Sequence, residues 1–458
     1  MKIIILGAGQ VGSSLAENLA KENNDVTIID TNLAKLHVLN TKFDLRTIAG
    51  FGSHPDILYQ AGAPDADMLI AVTDNDETNI VACQIAYTLF QTPTKIARIR
   101  STEYLVHSEL FDSDHIPIDF CISPERLVTE YVQHLVEHPG ALQVLDFAKG
   151  KIRMVAIKPY FGGKLVGKTL AELYAAFPGT PLRIVAIYRA NQIVEIKDTT
   201  TIEIGDEVFF IAAKKHVQAI MSALRRLEPP SKRILIVGGG HIGFQLAKTL
   251  EVEYQVKIVE KDPERAKILS EKLLHTTVLL GDASDRDLLV SENVEYIDTF
   301  CAVTDEDEAN IMSALLAKRL GARQVMAIIT RTAYTDLIEG GPIDIAISPQ
   351  QATIGTILTH LRKGDVVNVY SLRRGAAEAI EIVAHGDRKT SNVVGCKLNE
   401  IKLPKSALVC AVKRGEEIIL SFDDLVIESG DHVILLVIDK KHIREVEKLF
   451  QVNVAYIQ

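Results

Sequence analysis

Lys2-Ile3-Ile4-Ile5-Leu6-Gly7-Ala8-Gly9-Gln10-Val11-Gly12 is an apolar run that breaks into glycines spaced GxGxxG. The run predicts a buried strand, the glycines a tight turn, and the residues through about Lys21 a helix. Each glycine has its own task. Gly7 bends the chain, Gly9 lets a pyrophosphate approach the backbone, and Gly12 lets helix and strand pack closely. The helix start then offers amide N–H groups and a positive dipole end to phosphate oxygens. A second apolar run, Val26 to Ile29, ends in Asp30, 18 residues beyond Gly12, where a carboxylate suits the two hydroxyls of a ribose.

One such turn recurs by chance, but this chain carries two. Arg233 to Val237 leads into Gly238-Gly239-Gly240-His241-Ile242-Gly243, and Val256 to Val259 ends in Glu260 as Val26 to Ile29 ends in Asp30. Gly7 and Gly238 lie 231 positions apart. At that offset Ala71-Val72-Thr73-Asp74-Asn75-Asp76-Glu77-Thr78-Asn79-Ile80 meets Ala302-Val303-Thr304-Asp305-Glu306-Asp307-Glu308-Ala309-Asn310-Ile311, identical at eight of ten positions. The chain is a tandem duplication. Its 458 residues suit four domains, two in each half.

Hydrophobic residues make up 47% of the chain and aromatics 6%, with no Trp, the balance of buried parallel strands built from Ile, Val, Leu and Ala. A net charge of -10 disfavours nonspecific attraction to nucleic acid or anionic lipid. Cys83, Cys121, Cys301, Cys396 and Cys410 form no CxxC pair or metal-ligand cluster and read as small hydrophobes in a reducing compartment. The chain opens directly on a strand with no secretory signal pattern, and no apolar run approaches the roughly 18 residues needed to span a bilayer. The expectation is a protein that is not exported and meets a membrane only through a partner.

Further along, Leu33 to Asn40 reads as helix, Leu45 to Ala49 as a third strand ending at Gly50-Phe51-Gly52-Ser53, and Met68 to Thr73 as a fourth strand. The second copy has Gly281-Asp282-Ala283-Ser284 after its third strand. Ligands of open α/β sheets sit beyond the carboxyl ends of the strands, so Thr73 and Asp74 should lie beside the Gly7 to Gly12 loop. The acids Asp74 to Glu77 read as a helix start complementing its dipole rather than a cation site. Thr94 to Arg100 reads as a fifth strand, from which Arg98 is placed to reach phosphates. At the 231 offset Arg100 matches Arg331 and Arg98 faces Ile329, so the two sites differ chemically. Ile118 to Pro124 recurs as Ile343 to Pro349, followed in each copy by an amphipathic helix, Glu125 to His138 and Gln350 to Arg362, suited equally to core and to an interface.

From Ala141 the pattern changes to short alternating strands, and the same happens from Val366. Gly205-Asp206-Glu207-Val208 meets Gly430-Asp431-His432-Val433, and Lys-Lys-His follows in both copies, at Lys214 to His216 and Lys440 to His442. Glu228-Pro229-Pro230-Ser231 reads as a stiff linker between the halves. Neither small module holds a recognisable catalytic set, and His241 reads as a loop residue because Gln10 stands in its place in the first copy.

Together, the two GxGxxG halves with Asp30 and Glu260, the doubled AVTD-x-DE-x-NI segment and the GD-x-V strand after each half resemble the TrkA family, peripheral regulatory subunits of bacterial Trk potassium uptake systems. The resemblance covers the whole chain. It implies an α/β fold of two tandem Rossmann-like doubly wound parallel-sheet domains, each followed by a small α+β domain of the RCK (regulator of potassium conductance) type. The expected boundaries are 1–139, 140–228, 229–363 and 364–458. It further implies NAD⁺/NADH binding, with ATP or ADP as competing ligands. The implied contacts are Gly7, Ala8, Gly9, Gln10, Val11, Asp30, Thr73, Asp74 and Arg98 in the first half, and Gly238, Gly239, Gly240, His241, Ile242, Glu260, Thr304 and Asp305 in the second. No metal and no catalytic residue are implied. The implied partner is a membrane-embedded potassium-translocating Trk subunit, met on the cytoplasmic side of the inner membrane by a homodimer or larger ring. Family members commonly hold Gly-Asp after the third strand, as Gly281-Asp282 does; Gly50-Phe51 departs from it.

Two other functions compete. A nicotinamide-dependent oxidoreductase requires a substrate domain with a proton-transferring side chain beside the nicotinamide, and the modules here are too small and too alike to supply it. A nucleic-acid-binding redox sensor requires a basic recognition helix, which this acidic chain lacks. The regulatory reading carries an expectation of its own: nucleotide identity or redox state shifts the angle between Rossmann domains, with one site holding ligand constitutively and the other sensing it.

Overall fold

The computed structural model describes residues 1–22, 24–112, 115–159, 163–190, 192–224, 230–338, 341–361, 365–373, 377–420, 422 and 424–452. Of the proposed linker, Glu228 and Pro229 lie outside the described residues.

The first sheet holds β1 (Lys2–Leu6), β2 (Asp25–Asp30), β3 (Arg46–Ala49), β4 (Met68–Ala71), β5 (Thr94–Arg98) and β6 (Phe120–Ile122), all parallel, in the order β3-β2-β1-β4-β5-β6. That is the doubly wound dinucleotide-binding order, with the chain reversing direction across the sheet between β1 and β4. Ile3, Ile4, Ile5 and Leu6 are all buried, which is why β1 reads as a continuous apolar run instead of alternating. Five strands follow: β7 (Ala141–Phe147), β8 (Ile152–Ile157), β9 (Leu182–Arg189), β10 (Gln192–Ile193) and β11 (Glu207–Ala213). They form an antiparallel sheet in the order β10-β9-β11-β8-β7.

The second half repeats both sheets. β12 (Arg233–Val237), β13 (Gln255–Glu260), β14 (Thr277–Leu280), β15 (Thr299–Ala302), β16 (Gln324–Ile328) and β17 (Ile345–Ile347) are parallel in the order β14-β13-β12-β15-β16-β17. β18 (Val366–Leu372), β19 (Ala377–Val383), β20 (Ala407–Arg414), β21 (Glu417–Ile419) and β22 (His432–Val437) are antiparallel in the order β18-β19-β22-β20-β21. The Gly-Asp before β11 and β22 has a structural cause. Asp206 and Asp431 are buried, and each carboxylate receives an arginine from the neighbouring strand, Arg189 Nε at 2.8 Å and Arg414 Nε at 2.8 Å.

The chain forms two compact units. One contains Met1–Leu127 with Pro349–Leu358, the other Val128–Ser348 with Thr359–Gln458. Within the second unit, Val128, Val132, Leu135 and Val136, at helical spacing on the helix Pro124–Glu137, join one core with Ile234, Leu246 and Val256 of the second parallel sheet and Val144 and Val155 of the antiparallel one. The even balance between core and interface therefore falls to core for this stretch. The two antiparallel sheets share a further core in the same unit. Phe147 meets Tyr370 edge to face at 5.1 Å, the Tyr370 hydroxyl donates to the Asp146 carbonyl at 2.9 Å, and Arg373 pairs with Glu207 at 3.0 Å. All five cysteines are free.

The strand ends and the repeat offset differ from the sequence pattern. The fourth strand ends at Ala71 rather than Thr73, whose amide is taken by the Asn79 side chain at 3.0 Å. The fifth strand ends at Arg98 rather than Arg100, because the buried Asp76 carboxylate draws the amides of Arg100 and Ser101 out of the ladder at 2.9 and 2.8 Å. The 231 offset also fails beyond the helix Asp76–Phe90. That helix ends at left-handed Gln91, whereas its partner Asp307–Arg319 ends at left-handed Gly321 with one residue fewer in between. Through the fifth strand and the turn after it, the halves align at an offset of 230. Ile328 stands where Arg98 does, since the carbonyls of both accept from the buried Asn79 and Asn310. Arg331 occupies the place of Ser101, since both amides bind the helix-start aspartate.

Candidate nucleotide site

In the first half β1 runs into Gly7, whose φ of +105° few L side chains tolerate. A Cβ on Gly12 would run into the Gly7 carbonyl oxygen, while one on Gly9 would meet nothing within 4 Å. The turn is thus closed on its inner side and open at Gly9, where the helix Gln10–Lys21 begins with unpaired amides. The second loop repeats this, with φ +99° at Gly238, a blocked Gly243 and an open Gly240. Space, dipole and exposed N–H groups fit a pyrophosphate in both loops.

The acids at the ends of β2 and β13 organise these loops directly. Asp30 Oδ2 accepts from the Ala8 amide at 2.6 Å and Oδ1 from the Asn32 amide at 2.7 Å. Glu260, more buried, accepts from the Gly239 amide at 2.7 Å and the Asp262 amide at 2.9 Å. Each carboxylate oxygen keeps a second lone pair, so a ribose hydroxyl adds to these bonds rather than replacing them.

Thr73 and Thr304 lie at the ends of β4 and β15 as expected, and a residue left unassigned in the sequence fixes them. Asn79 is fully buried. Its Oδ1 accepts from the Thr73 amide at 3.0 Å and the Thr73 hydroxyl at 2.7 Å, and its Nδ2 donates to the Thr73 carbonyl at 3.3 Å and the Arg98 carbonyl at 2.9 Å. Asn310 makes the same four bonds to Thr304 and Ile328. The signal was present in the sequence as an asparagine identical in both copies six residues past each Thr. Asp74 and Asp305 are exposed beside the threonines. Asp76 and Asp307 bind loop amides. Among the described residues no group of three or more His, Cys, Asp or Glu is placed to hold a metal.

Electrostatics separate the halves. Arg98 Nε is buried without a hydrogen-bond partner among the described residues, and burial, then the neighbouring Arg100 charge, pushes the guanidinium below its ordinary range. A half-buried guanidinium with one buried donor unpaired, at a strand end, is a place for an anion. The second half puts apolar Ile328 there. It has Arg265 instead, whose Nε donates to the Gly239 carbonyl at 2.6 Å, where the first half has Lys35. Asp282 turns inward to its own loop, accepting from the amide and hydroxyl of Ser284 at 2.8 and 2.7 Å, bonds that hold its carboxyl below the usual range. Phe51, its counterpart, is exposed against His54. His241 and Gln10 are both exposed, and each is the first residue of its helix rather than part of the loop before it.

Comparison with known proteins accords with this geometry. The model of the TrkA-N domain matches residues 3–124 and 234–349, and that of the TrkA-C domain matches 154–225 and 388–451. The protein described as Trk system potassium uptake protein TrkA is 57% identical in Halomonas elongata over 456 residues, covering 100% of both chains. Its namesake in Vibrio alginolyticus is 56% identical, covering 98% of this chain and 99% of that one, and in Haemophilus influenzae 52% identical over 100% of both. The crystal structure of the GsuK RCK domain superposes with a TM-score of 0.61 at 17% identity, over 98% of this chain and 95% of that one. The GsuK channel bound to NAD superposes at 0.62 and 17%, over 98% and 79%. At that identity the two structures speak to fold alone, and they bear out tandem Rossmann and RCK architecture. With both domain models matched twice in order and relatives aligned end to end, the chain belongs to the TrkA family.

Proposed function

We propose that this chain is the NAD(H)-binding regulatory subunit of a potassium uptake system, docking on the cytoplasmic face of a membrane-embedded potassium-translocating subunit and gating it. The observation that carries the nucleotide half of this reading is the doubled glycine turn, closed inside by Gly12 and Gly243 and tied at its outer edge to Asp30 and Glu260. The gating half rests on kinship. The relatives are named for potassium uptake and not for a reaction, which sets the oxidoreductase reading aside. Among the described residues no helix is long and apolar enough to cross a membrane, so transport falls to a partner.

In this reading the helix starts at Gln10 and His241 take the pyrophosphate. Asp30 and Glu260 take the ribose hydroxyls, Thr73 and Thr304 sit where the nicotinamide side enters, and Arg98 adds charge in the first half. ATP or ADP, sharing the adenosine and two phosphates, competes for the same places; a GsuK structure described as bound to ADP offers a parallel. The working domains are 1–139, 140–228, 229–363 and 364–458, and the working assembly is a homodimer or larger ring matched to a symmetric channel. A ligand gates only through its differential affinity for two states. Titration calorimetry with NADH on Asp30→Ala, Glu260→Ala and the double variant tests the sites; unchanged affinity in the double variant overturns the dinucleotide assignment. Membrane fractionation with and without the translocating subunit, paired with potassium flux at varied NADH/NAD⁺ ratio, tests the partner. Flux indifferent to both nucleotides refutes gating and leaves binding standing.

A further inference from the structure

The second parallel sheet carries a cleft of about 600 Å³ at the end opposite its glycine loop. Its floor comes from the amino ends of β12, β13 and β14, and its wall from the segment Glu292 to Ile297. Parallel register puts Arg233 beside Gln255 and Lys257 beside Thr277, and strand alternation puts all four on one face of the sheet. Four strand steps of roughly 3.3 Å separate Arg233 from Val237 at the glycine turn, so a ligand here leaves the nucleotide site open.

The lining brings two cations, one acid, a histidine and two tyrosines together. Lys257 is neutralised by Glu292 at 2.7 Å. Arg233 is held more loosely: its Nε forms a longer ion pair with Asp298 at 3.7 Å, and its guanidinium lies 5.7 Å from the Tyr296 ring centroid, so it is the cation freer to turn to an anion in the cleft. His275 and Tyr254 complete the walls, and the His275 backbone is clamped, because the buried Glu251 carboxylate accepts from the amides of Leu274, His275 and Thr276 at 3.3, 2.9 and 2.9 Å. The duplication supplies an internal control. At the matching places the first sheet has Lys2, Thr27, Asp44, Asn24 and Asp65 for Arg233, Lys257, His275, Tyr254 and Tyr296, and Asp25 and Arg46 for Gln255 and Thr277, so the halves differ less in cations than in aromatic rings. Two acids have given way to a histidine and a tyrosine, and an asparagine to a second tyrosine, on an otherwise repeated scaffold.

We propose that this cleft is a second ligand site, present in the second half alone, for a small planar anion: a flat ring bearing a phosphate or carboxylate. Tyr296 and Tyr254 receive the ring, Arg233 and His275 the anionic group, and the volume falls in the range of small-molecule sites.

The test uses the full chain saturated with NADH and 1-naphthyl phosphate as the probe, which lacks the ribose that Asp30 and Glu260 would hold. One probe per chain is expected by fluorescence titration. Arg233→Gln and, separately, the exposed Tyr296→Ala should each weaken it about tenfold, with NADH affinity and thermal melting unchanged. Lys2→Gln, the first-half counterpart, should have no effect. Absence of binding at millimolar probe, binding indifferent to both cleft variants, or displacement in proportion to added NADH would each overturn the proposal.

Discussion

Replacing Asn79 by Ala should loosen the carboxyl ends of β4 and β5 together. The side chain is fully buried and joins the two strands through Thr73 and Arg98. Its loss strands the Thr73 amide and the Arg98 carbonyl and removes the longest of the four bonds, 3.3 Å to the Thr73 carbonyl; the Thr73 hydroxyl keeps the Asn75 carbonyl at 3.1 Å. A stranded buried polar group costs about 1–3 kcal/mol, so two give about 2–6 kcal/mol, and the lower half of that range is the better expectation because water can enter at a strand end. A loss of about 3 kcal/mol is roughly a hundredfold in the local opening equilibrium. Hydrogen exchange read by mass spectrometry on peptides spanning residues 68–80 and 94–101 should show that loss of protection in Asn79→Ala. Asn310→Ala should do the same around Thr304 and Ile328 and spare the first half. Unchanged protection at Thr73 in Asn79→Ala would refute the pinning role, and loss spread evenly over both halves would show a global effect instead of a local key.

Arg98→Ile, which gives the first half the side chain of the second, should remove a charge-assisted contact of about 1.5–3 kcal/mol and weaken NADH at the first site by roughly ten- to a hundredfold, read by calorimetry; equal affinity would mean that the guanidinium does not face phosphate. Glu251 sits below the ordinary carboxylate range because its amide and hydroxyl bonds to residues 274–276 outweigh the burial that opposes them. A depressed carboxyl contributes stability above its unfolded value of about 4.3 and loses it as the pH falls through the folded value. Glu251→Gln should therefore melt below the parent at pH 7 and approach it below about pH 4; a gap that widens on acidification would contradict this. Burial pushes the Cys301 and Cys410 thiols up to about 12 each, so both should resist a thiol reagent at pH 8 until the protein unfolds. Labelling of either in the native protein at the rate of a free thiol would count against their burial.

Much of this fold was legible because its signals are local. A run such as Ile3 to Leu6 ending in Gly7 has few structures open to it, and duplication turned each weak motif into a repeated one. What escaped was non-local. The end of β5 depends on Asp76, 24 residues away from the amide it captures, and no periodicity within Thr94 to Arg100 announces that. The slipped offset between halves came from one residue lost at a helix C-terminus, where left-handed Gln91 and Gly321 do the same work in different chemistry. Asn79 was visible as an identical residue but not as a key, since its four partners come together only when β4 and β5 are adjacent.

The two halves differ in a patterned way that follows from how a duplicated scaffold diverges. Residues that hold the backbone stay paired: Asn79 with Asn310, Asp76 with Asp307, Arg189 and Asp206 with Arg414 and Asp431. Each is buried or makes several bonds, so changing one strands the others and costs stability at once. Residues facing the open side of the loops do not stay paired: Asp30 against Glu260, Arg98 against Ile328, Lys35 against Arg265, Phe51 against Asp282. Asp30 and Glu260 accept from the corresponding pair of loop amides, and the other three exchanges strand none of the backbone bonds that the two halves share, so their divergence is available to ligand preference. Arg98 carries an unsatisfied buried donor, which a bound anion relieves, so the first site should lose more stability than the second when ligand is removed. Glu260 and Arg265, by contrast, already hold their loop through Gly239 from both its amide and its carbonyl, which leaves the second turn ordered before ligand arrives. Under the proposed function, a preformed second loop and a first loop completed by its anion would respond differently to one nucleotide, and a regulator needs only one of them to change shape.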